Sequence, residues 1–109
     1  MAPQLEPALR AFVDASNGRD TDEYVRCFTP DAVVEDEGGT HRGPDAIRAW
    51  REDTVARYDY AVTPLAVEAG DGATMLVARI AGTFDGSPIT LRHRVELDGD
   101  GIAALRIGP

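Results

Sequence analysis

Lysine is absent from this chain of 109 residues: all 11 basic side chains are arginine. Without a lysine amine there is no Schiff-base or pyridoxal chemistry, and no P-loop, whose phosphate-binding residue is a lysine. Cysteine is nearly absent too. The single thiol, Cys27, makes no internal disulfide, so no bridge constrains the redox compartment. No apolar run approaches the roughly 18 residues that span a bilayer. Met1-Ala2-Pro3-Gln4 lacks the basic patch and apolar stretch of a signal peptide, so the expected compartment is the cytoplasm. Positive charge is scarce: 11 basic against 19 acidic residues leave a net charge of −8. This argues against nucleic acid, whose affinity rests on cationic neutralisation of phosphates, and against an anionic membrane surface.

What is present is the composition of an ordinary globular protein, 43% hydrophobic and 28% charged. The length is that of one domain, residues 1–109, built around a single core. Leu5, Leu9, Phe12, Val13 and Ser16 follow the spacing of one helical face, with Pro7 tolerable in the first turn and Asn17-Gly18 as a C-cap. Asp20 followed by Glu23 predicts a short second helix carrying Tyr24, Val25 and Phe28 and stopped by Pro30. Residues 32–36 read as a short strand, ended by Glu37-Gly38-Gly39. Gly43-Pro44-Asp45 opens a third helix with Ile47, Trp50 and Thr54 along one side.

From Tyr58 onward the pattern is strand-like. Turn signals at Gly70-Asp71-Gly72, Asp85-Gly86 and Asp98-Gly99-Asp100-Gly101 divide it into strands of about 58–69, 73–84, 87–97 and 102–107. Pro64 makes the first of these an edge or a bulged strand. Helices followed by a strand meander predict an α+β domain. Along the third long strand, Ile89, Leu91, His93, Val95 and Leu97 share one face, so His93 points with the core residues. On the early strand Val34 and Asp36 share a face. One imidazole and one carboxylate are thus candidates for the inside of an apolar cup.

The stretches Phe12-Val13…Asn17, Phe28-Thr29-Pro30-Asp31-Ala32-Val33-Val34-Glu35-Asp36, Gly43-Pro44-Asp45-Ala46-Ile47-Arg48-Ala49-Trp50 and Leu97-Asp98-Gly99-Asp100-Gly101-Ile102 come in a telling order. That order resembles the nuclear transport factor 2-like superfamily, and within it the ketosteroid isomerase-like and SnoaL-like polyketide cyclase branches. The resemblance implies a cone-shaped α+β barrel, three N-terminal helices packed on a curved antiparallel sheet, with an apolar pocket at its open end. It also implies a homodimer formed through the outer face of the sheet.

Site residues follow from the resemblance one at a time. The isomerase's base aspartate ends the first strand in a stretch like Val-Glu-Asp, and Val34-Glu35-Asp36 puts it at Asp36. Its oxyanion tyrosine precedes a valine and stands five residues ahead of an asparagine; that position is Phe12 here, so the phenol is missing. Its second oxyanion donor, counted back five residues from the turn at Asp98, falls on His93. Asp36 with His93 resembles the reduced acid/base set of the SnoaL-like cyclases, in which one aspartate takes a proton from a polyketide carbon.

Each candidate has a plainer reading. Asp36 is a desolvated general base or a solvated strand-end acid capping Gly38-Gly39. His93 is a donor to a carbonyl oxygen or a satisfied core histidine. His41, just before the third helix, is a general acid or substrate contact at the pocket mouth, or a hydrogen-bonded loop residue. His41, His93 and a carboxylate could imitate a two-histidine, one-carboxylate site, but no pair has tight ligand spacing, so no metal is expected. Phe12, Trp50, Tyr58 and Phe84 are expected to line the pocket, while Tyr24 and Phe28 fill the core. Cys27 reads as a buried small hydrophobe, and Arg92, Arg94 and Glu96 as an outer, solvated or dimer-facing surface.

The expected activity is acid/base chemistry without a cofactor, of isomerase, cyclase or hydratase type, on a small apolar carbonyl compound. The alternative is a non-catalytic ligand-binding or dimerisation module.

Overall fold

The computed structural model describes residues 3–18, 20–70 and 72–109. The leader reading at Met1-Ala2 and the middle of the turn signal at Asp71 lie outside the described residues. Pro7 opens α1 (Pro7–Asn17), where its missing N–H costs nothing, and the helix buries Leu9, Phe12, Val13, Ala15 and Ser16. The Asn17 side chain then reaches across the fold: its amide donates to the Val62 carbonyl at 2.9 Å and accepts from the Val62 N–H at 2.7 Å. Asp20 caps α2 (Thr21–Arg26) by accepting from the Glu23 N–H at 3.2 Å.

That second helix is shorter than its sequence signals imply. Cys27 ends it, and Phe28 already belongs to β1 (Phe28–Asp36), so Pro30 does not stop a helix but sits inside a strand. The strand accommodates the proline because its register with β6 (Gly101–Gly108) shifts between Phe28 and Val33, where the ladder needs no N–H from it. Glu37-Gly38-Gly39 likewise does not simply end the strand. Glu37 and Gly38 take φ of 52° and 77°, a two-residue hairpin turn leading into β2 (Gly39–Arg42), too short to register as a pattern.

After β2, α3 (Gly43–Tyr58) carries the proline near its start and buries Ile47, Trp50, Arg51 and Thr54. Tyr58 is the last residue of this helix rather than the first of a strand, and Asp59 turns the chain at φ 40°. The remaining strands are β3 (Ala61–Gly70), β4 (Ala73–Ala81) and β5 (Ile89–Asp98). The Asp85-Gly86 signal belongs to a wider loop, 82–88, docked on the end of α3: the Thr83 N–H donates to the Tyr58 carbonyl at 2.7 Å. A side chain at Gly82 would collide with that carbonyl, which is why the loop begins with glycine.

Six strands form one sheet in the order β2-β1-β6-β5-β4-β3. The expected antiparallel sheet is therefore mixed: every pair is antiparallel except β1 with β6, which run parallel. Pro64 lies on the edge strand β3, at a register shift between Pro64 and Ala66. The three helices pack on one side of this curved sheet, matching the cone anticipated from the element order. On its other side, arginine–glutamate pairs lie exposed: Arg92 with Glu68, Arg94 with Glu96, and Arg106 with Glu35. Such pairs add little stability. No helix among the described residues is long and apolar enough to cross a membrane.

One buried charge ties the helical layer together. Arg51 is 3% exposed. Its guanidinium donates to the carbonyls of Ser16 at 2.9 Å, Gly18 at 3.3 Å and Ala15 at 3.4 Å, and to the Tyr60 hydroxyl at 2.6 Å. It also lies 4.3 Å above the Tyr24 ring. The Ala15 carbonyl also accepts from the Gly18 N–H, but that of Ser16 would otherwise be orphaned at a buried helix end. Replacing Arg51 by methionine should cost about 3 kcal/mol in a urea titration, since charged hydrogen bonds contribute about 1.5–3 kcal/mol each. Arg51→Lys should recover little of it, because an ammonium cannot fork to four oxygens. A loss below about 1 kcal/mol for Arg51→Met would show that the guanidinium is not the tie.

Candidate active site

Between the helices and the concave face of the sheet lies a cavity of about 220 Å3. It is far larger than the roughly 10–15 Å3 needed to hold one water. Six of the seven aromatic side chains line it: Phe12 from α1, Tyr24 from α2, Trp50 and Tyr58 from α3, Tyr60, and Phe84 from the 82–88 loop. Val62, Ile80, Ile89, Leu91 and Ile107 complete the apolar wall. The expected lining residues Phe12, Trp50, Tyr58 and Phe84 are thus all present. Ile89 and Leu91 reach it because β5 alternates, and the same alternation carries His93 inward.

Asp36 and His93 are both brought to this cavity, from β1 and β5, two strands separated by β6 in the sheet. Asp36 is half-buried at the end of β1, and its Oδ2 accepts from the Trp50 indole N–H at 3.1 Å. Burial raises its pKa above the usual carboxylate range; the Trp50 hydrogen bond opposes that, and the neighbouring Glu37 charge adds to it. His93 is 4% exposed, and burial lowers its pKa from 6.5 to about 4, against the smaller pull of the Leu76 and Leu91 carbonyls. It is a neutral imidazole at physiological pH.

The hydrogen-bond state of His93 is informative. Among the described residues its Nδ1 is the sole fully buried side-chain nitrogen or oxygen without a partner. With the ring proton on Nε2, which is not among the fully buried unpartnered atoms, no N–H of this ring is left buried and unpaired. In that tautomer the donor is the ring nitrogen that keeps open surface, on a residue that lines the cavity.

The hydroxyls of Ser16, Thr54 and Tyr58, also on the wall, are already committed. Ser16 donates to the Phe12 carbonyl at 2.7 Å, and Thr54 to the Arg51 carbonyl at 3.0 Å. At the mouth the Tyr58 hydroxyl donates to Glu37 at 2.9 Å and accepts from Arg57 at 2.7 Å, while Phe84 packs edge-on against it at 5.6 Å. The hydrogen bond to Glu37 raises the Tyr58 pKa, so it stays a phenol.

His41 is not brought to the cavity. It lies on β2, against the Trp50 ring at 5.9 Å between centroids, in a groove that Asp36 and Trp50 also border. Asp36 and Trp50 thus form the wall between the inner cavity and this outer groove. Cys27 is half-buried at the end of α2, with its thiol pKa raised by burial, and is not activated as a nucleophile. Tyr24, Tyr60 and Arg51 were not singled out for the site by their sequence context. A tyrosine on the apolar side of a short helix reads as core, and a buried arginine has no periodic signature.

Comparison with known proteins adds the relationship. The model of a family described as the SnoaL-like domain matches residues 9–106. A candidate polyketide cyclase from Sinorhizobium meliloti is 35% identical, with 95% of each chain covered and a TM-score of 0.90. A protein of ketosteroid isomerase-like fold from Catenulispora acidiphila, crystallised in complex with trimethylamine, is 18% identical over 97% of this chain and 87% of its own, with a TM-score of 0.85. An NTF2-like protein of unknown function from Cytophaga hutchinsonii is 14% identical over 99% and 93%, with a TM-score of 0.76. The last two likenesses concern fold alone. None of the curated proteins matches significantly.

The low pKa of His93 links stability to pH. The unfolded histidine binds a proton below about 6.5, and the folded one resists until about 4. Within that window the unfolded state holds more protons, so this residue's contribution falls as pH drops from 6.5 to 4, by up to about 3 kcal/mol, and then levels off. Asp36, with its raised pKa, acts in the opposite direction as it takes up its proton. Urea midpoints at pH 7 and pH 4.5 should therefore drop more steeply in the wild-type chain than in His93→Gln. Parallel drops in the two chains would contradict the assignment of a buried neutral imidazole.

Proposed function

The chain belongs to the SnoaL-like domain family, and on that premise we propose that its cavity performs acid/base chemistry on a small apolar carbonyl compound without a cofactor. The observation that carries this reading is the convergence of Asp36 and neutral His93 on one aromatic-lined space. Asp36 is the base. Its carboxyl is half in apolar surroundings and paired with a neutral indole rather than a cation, which keeps it basic enough to take a proton from carbon. His93 is the donor: an imidazole that stays neutral polarises a carbonyl through its N–H without protonating it outright. The apolar wall admits the carbon skeleton and leaves the two polar groups to fix its orientation.

The reaction type that fits is proton transfer next to a carbonyl, as in an isomerase or a cyclase acting on a polyketide-like carbon. The description of the Sinorhizobium neighbour as a candidate polyketide cyclase accords with that class. A second reading, a cup that binds apolar molecules without turning them over, is favoured by Phe12, which offers no donor where α1 meets the cavity. The two readings differ in whether bound carbonyl compounds exchange their α-protons.

Exchange of α-hydrogens in D2O, followed by NMR for a panel of cyclic ketones and enones, separates them. The wild-type chain should accelerate exchange for at least one member, and Asp36→Asn should lower that rate by about 10²–10⁴-fold, the range of a positioned base. The rate should rise with pH through the raised pKa of Asp36, because only the carboxylate accepts the proton, and then flatten. Equal exchange in wild type and Asp36→Asn removes Asp36 as the base. Binding without exchange anywhere in the panel supports the cup.

A further inference from the structure

An enolate oxygen is best held by more than one donor, and His93 supplies one. Tyr24 is in position to be another. It is 1% exposed, yet it lines the cavity. Its ring is fixed on several sides: Phe12 at 5.7 Å, Trp50 at 6.2 Å, Phe28 at 5.5 Å, and the Arg51 guanidinium 4.3 Å above its face. Among the described residues no chain group hydrogen-bonds its hydroxyl, and that hydroxyl is not among the fully buried unpartnered atoms, where His93 Nδ1 stands alone. It therefore keeps open surface, and the open space that Tyr24 borders is the cavity. Tyr24 and His93 each lie against the Phe12 ring, at 5.7 and 6.4 Å between centroids. Burial, the largest influence on it, keeps Tyr24 a neutral phenol, a donor at any working pH.

We propose that Tyr24 is a second oxyanion donor of this site, its O–H and the His93 N–H together holding the carbonyl oxygen of a small ketone or enone whose α-proton Asp36 removes. The inference rests on the proton-transfer reading and deepens it, since it names the group that Phe12 does not provide. The Asp36 carboxylate takes the α-proton, and the C–H electron pair becomes the C=C bond of the enolate. The carbonyl π pair moves onto oxygen, where Tyr24 and His93 donate without releasing their protons. Return of the proton from Asp36 to another carbon of the conjugated enolate gives the isomer and restores the carboxylate.

The placement under Arg51 explains why a phenol on a six-residue helix can serve here. A cation over the ring face draws electron density from it and strengthens the hydroxyl as a donor, and the same contact fixes the ring's orientation. Donors worth most in a transition state are those already in place before charge develops.

The test uses 2-naphthol, whose ionised form presents an oxyanion on an apolar ring, titrated by NMR into the Asp36→Asn chain, where the base position carries no charge. Binding is expected, with far-downfield hydrogen-bond proton resonances and a shift of the Tyr24 Cζ signal. Adding Tyr24→Phe should weaken binding at least tenfold and remove one downfield resonance, while the amide spectrum stays that of the parent because the ring remains under Arg51. Binding within twofold of the parent, with an unmoved Tyr24 Cζ, overturns the role of Tyr24. If His93→Gln still weakens binding in that case, the proton-transfer reading survives without Tyr24. No binding of 2-naphthol to the parent overturns the oxyanion site, and absent α-exchange in the wild-type chain would overturn the wider reading with it. Should Tyr24→Phe fail to fold, the Cζ shift in the parent decides alone.

Discussion

Among the described residues the buried guanidinium of Arg51 has no carboxylate partner, and the packing of the helical layer depends on that arrangement. Its positive charge is met by three carbonyls at the end of α1, where the helix dipole concentrates negative charge, by the Tyr60 hydroxyl and by the Tyr24 ring. Those contacts join α1, α2, α3 and the approach to β3 at one point. A pure apolar plug would leave the Ser16 carbonyl unpaired. A carboxylate partner would satisfy the charge but would bring a second desolvated ion into the core, at a cost that mutual attraction often fails to offset. Neutral acceptors and a π face meet both demands.

Ion pairs stay on the surface by the same economy. In a chain with 11 arginines and 19 acids, ion pairs are easy to make, and they gather on exposed surfaces: Arg48 with Asp22, Arg92 with Glu68, Arg106 with Glu35. Asp36 escapes them. An arginine against its carboxyl would hold the pKa well below the usual range and leave a poor base, whereas the indole N–H of Trp50 orients the carboxyl without adding a charge. The nearest acid, Glu37, is occupied by Tyr58 and Arg57 at the mouth. It holds a positive φ, a strained setting for a non-glycine residue that the β1–β2 turn imposes.

Much of the fold and part of the candidate site are legible in the sequence, and the pattern of misses is physical. His93 was placed inward by strict alternation on β5, a signal that survives because one face of that strand is buried. Asp36 was placed by resemblance and by its shared face with Val34. The short β2 strand, the parallel β1–β6 pair and the proline inside β1 were not legible, because four residues carry no periodicity and parallel pairing is a tertiary fact. His41 was expected at the mouth on its proximity in sequence to α3. The β1–β2 hairpin instead puts it behind Trp50. Tyr24 and Arg51 were missed because their function lies in each other's company, and nothing in a linear sequence reports that two helices cross with one ring beneath one guanidinium.

The half-burial of Asp36 is the feature on which its proposed role as a base turns. It borders the apolar cavity on one side and the outer groove on the other, with Trp50 as the partition between them. Were the carboxyl wholly enclosed, desolvation would keep it protonated and unable to accept. Were it wholly exposed, water would hold it near the ordinary carboxylate pKa, too weak a base for a carbon acid. Standing in the partition, it is raised only part of the way. The proposed donors need the opposite treatment, and their burial fits it: His93 and Tyr24 are almost fully enclosed, which holds both neutral and strengthens each hydrogen bond they can offer. In the proposed mechanism, one cavity thus sets base and donors apart by the depth of their burial.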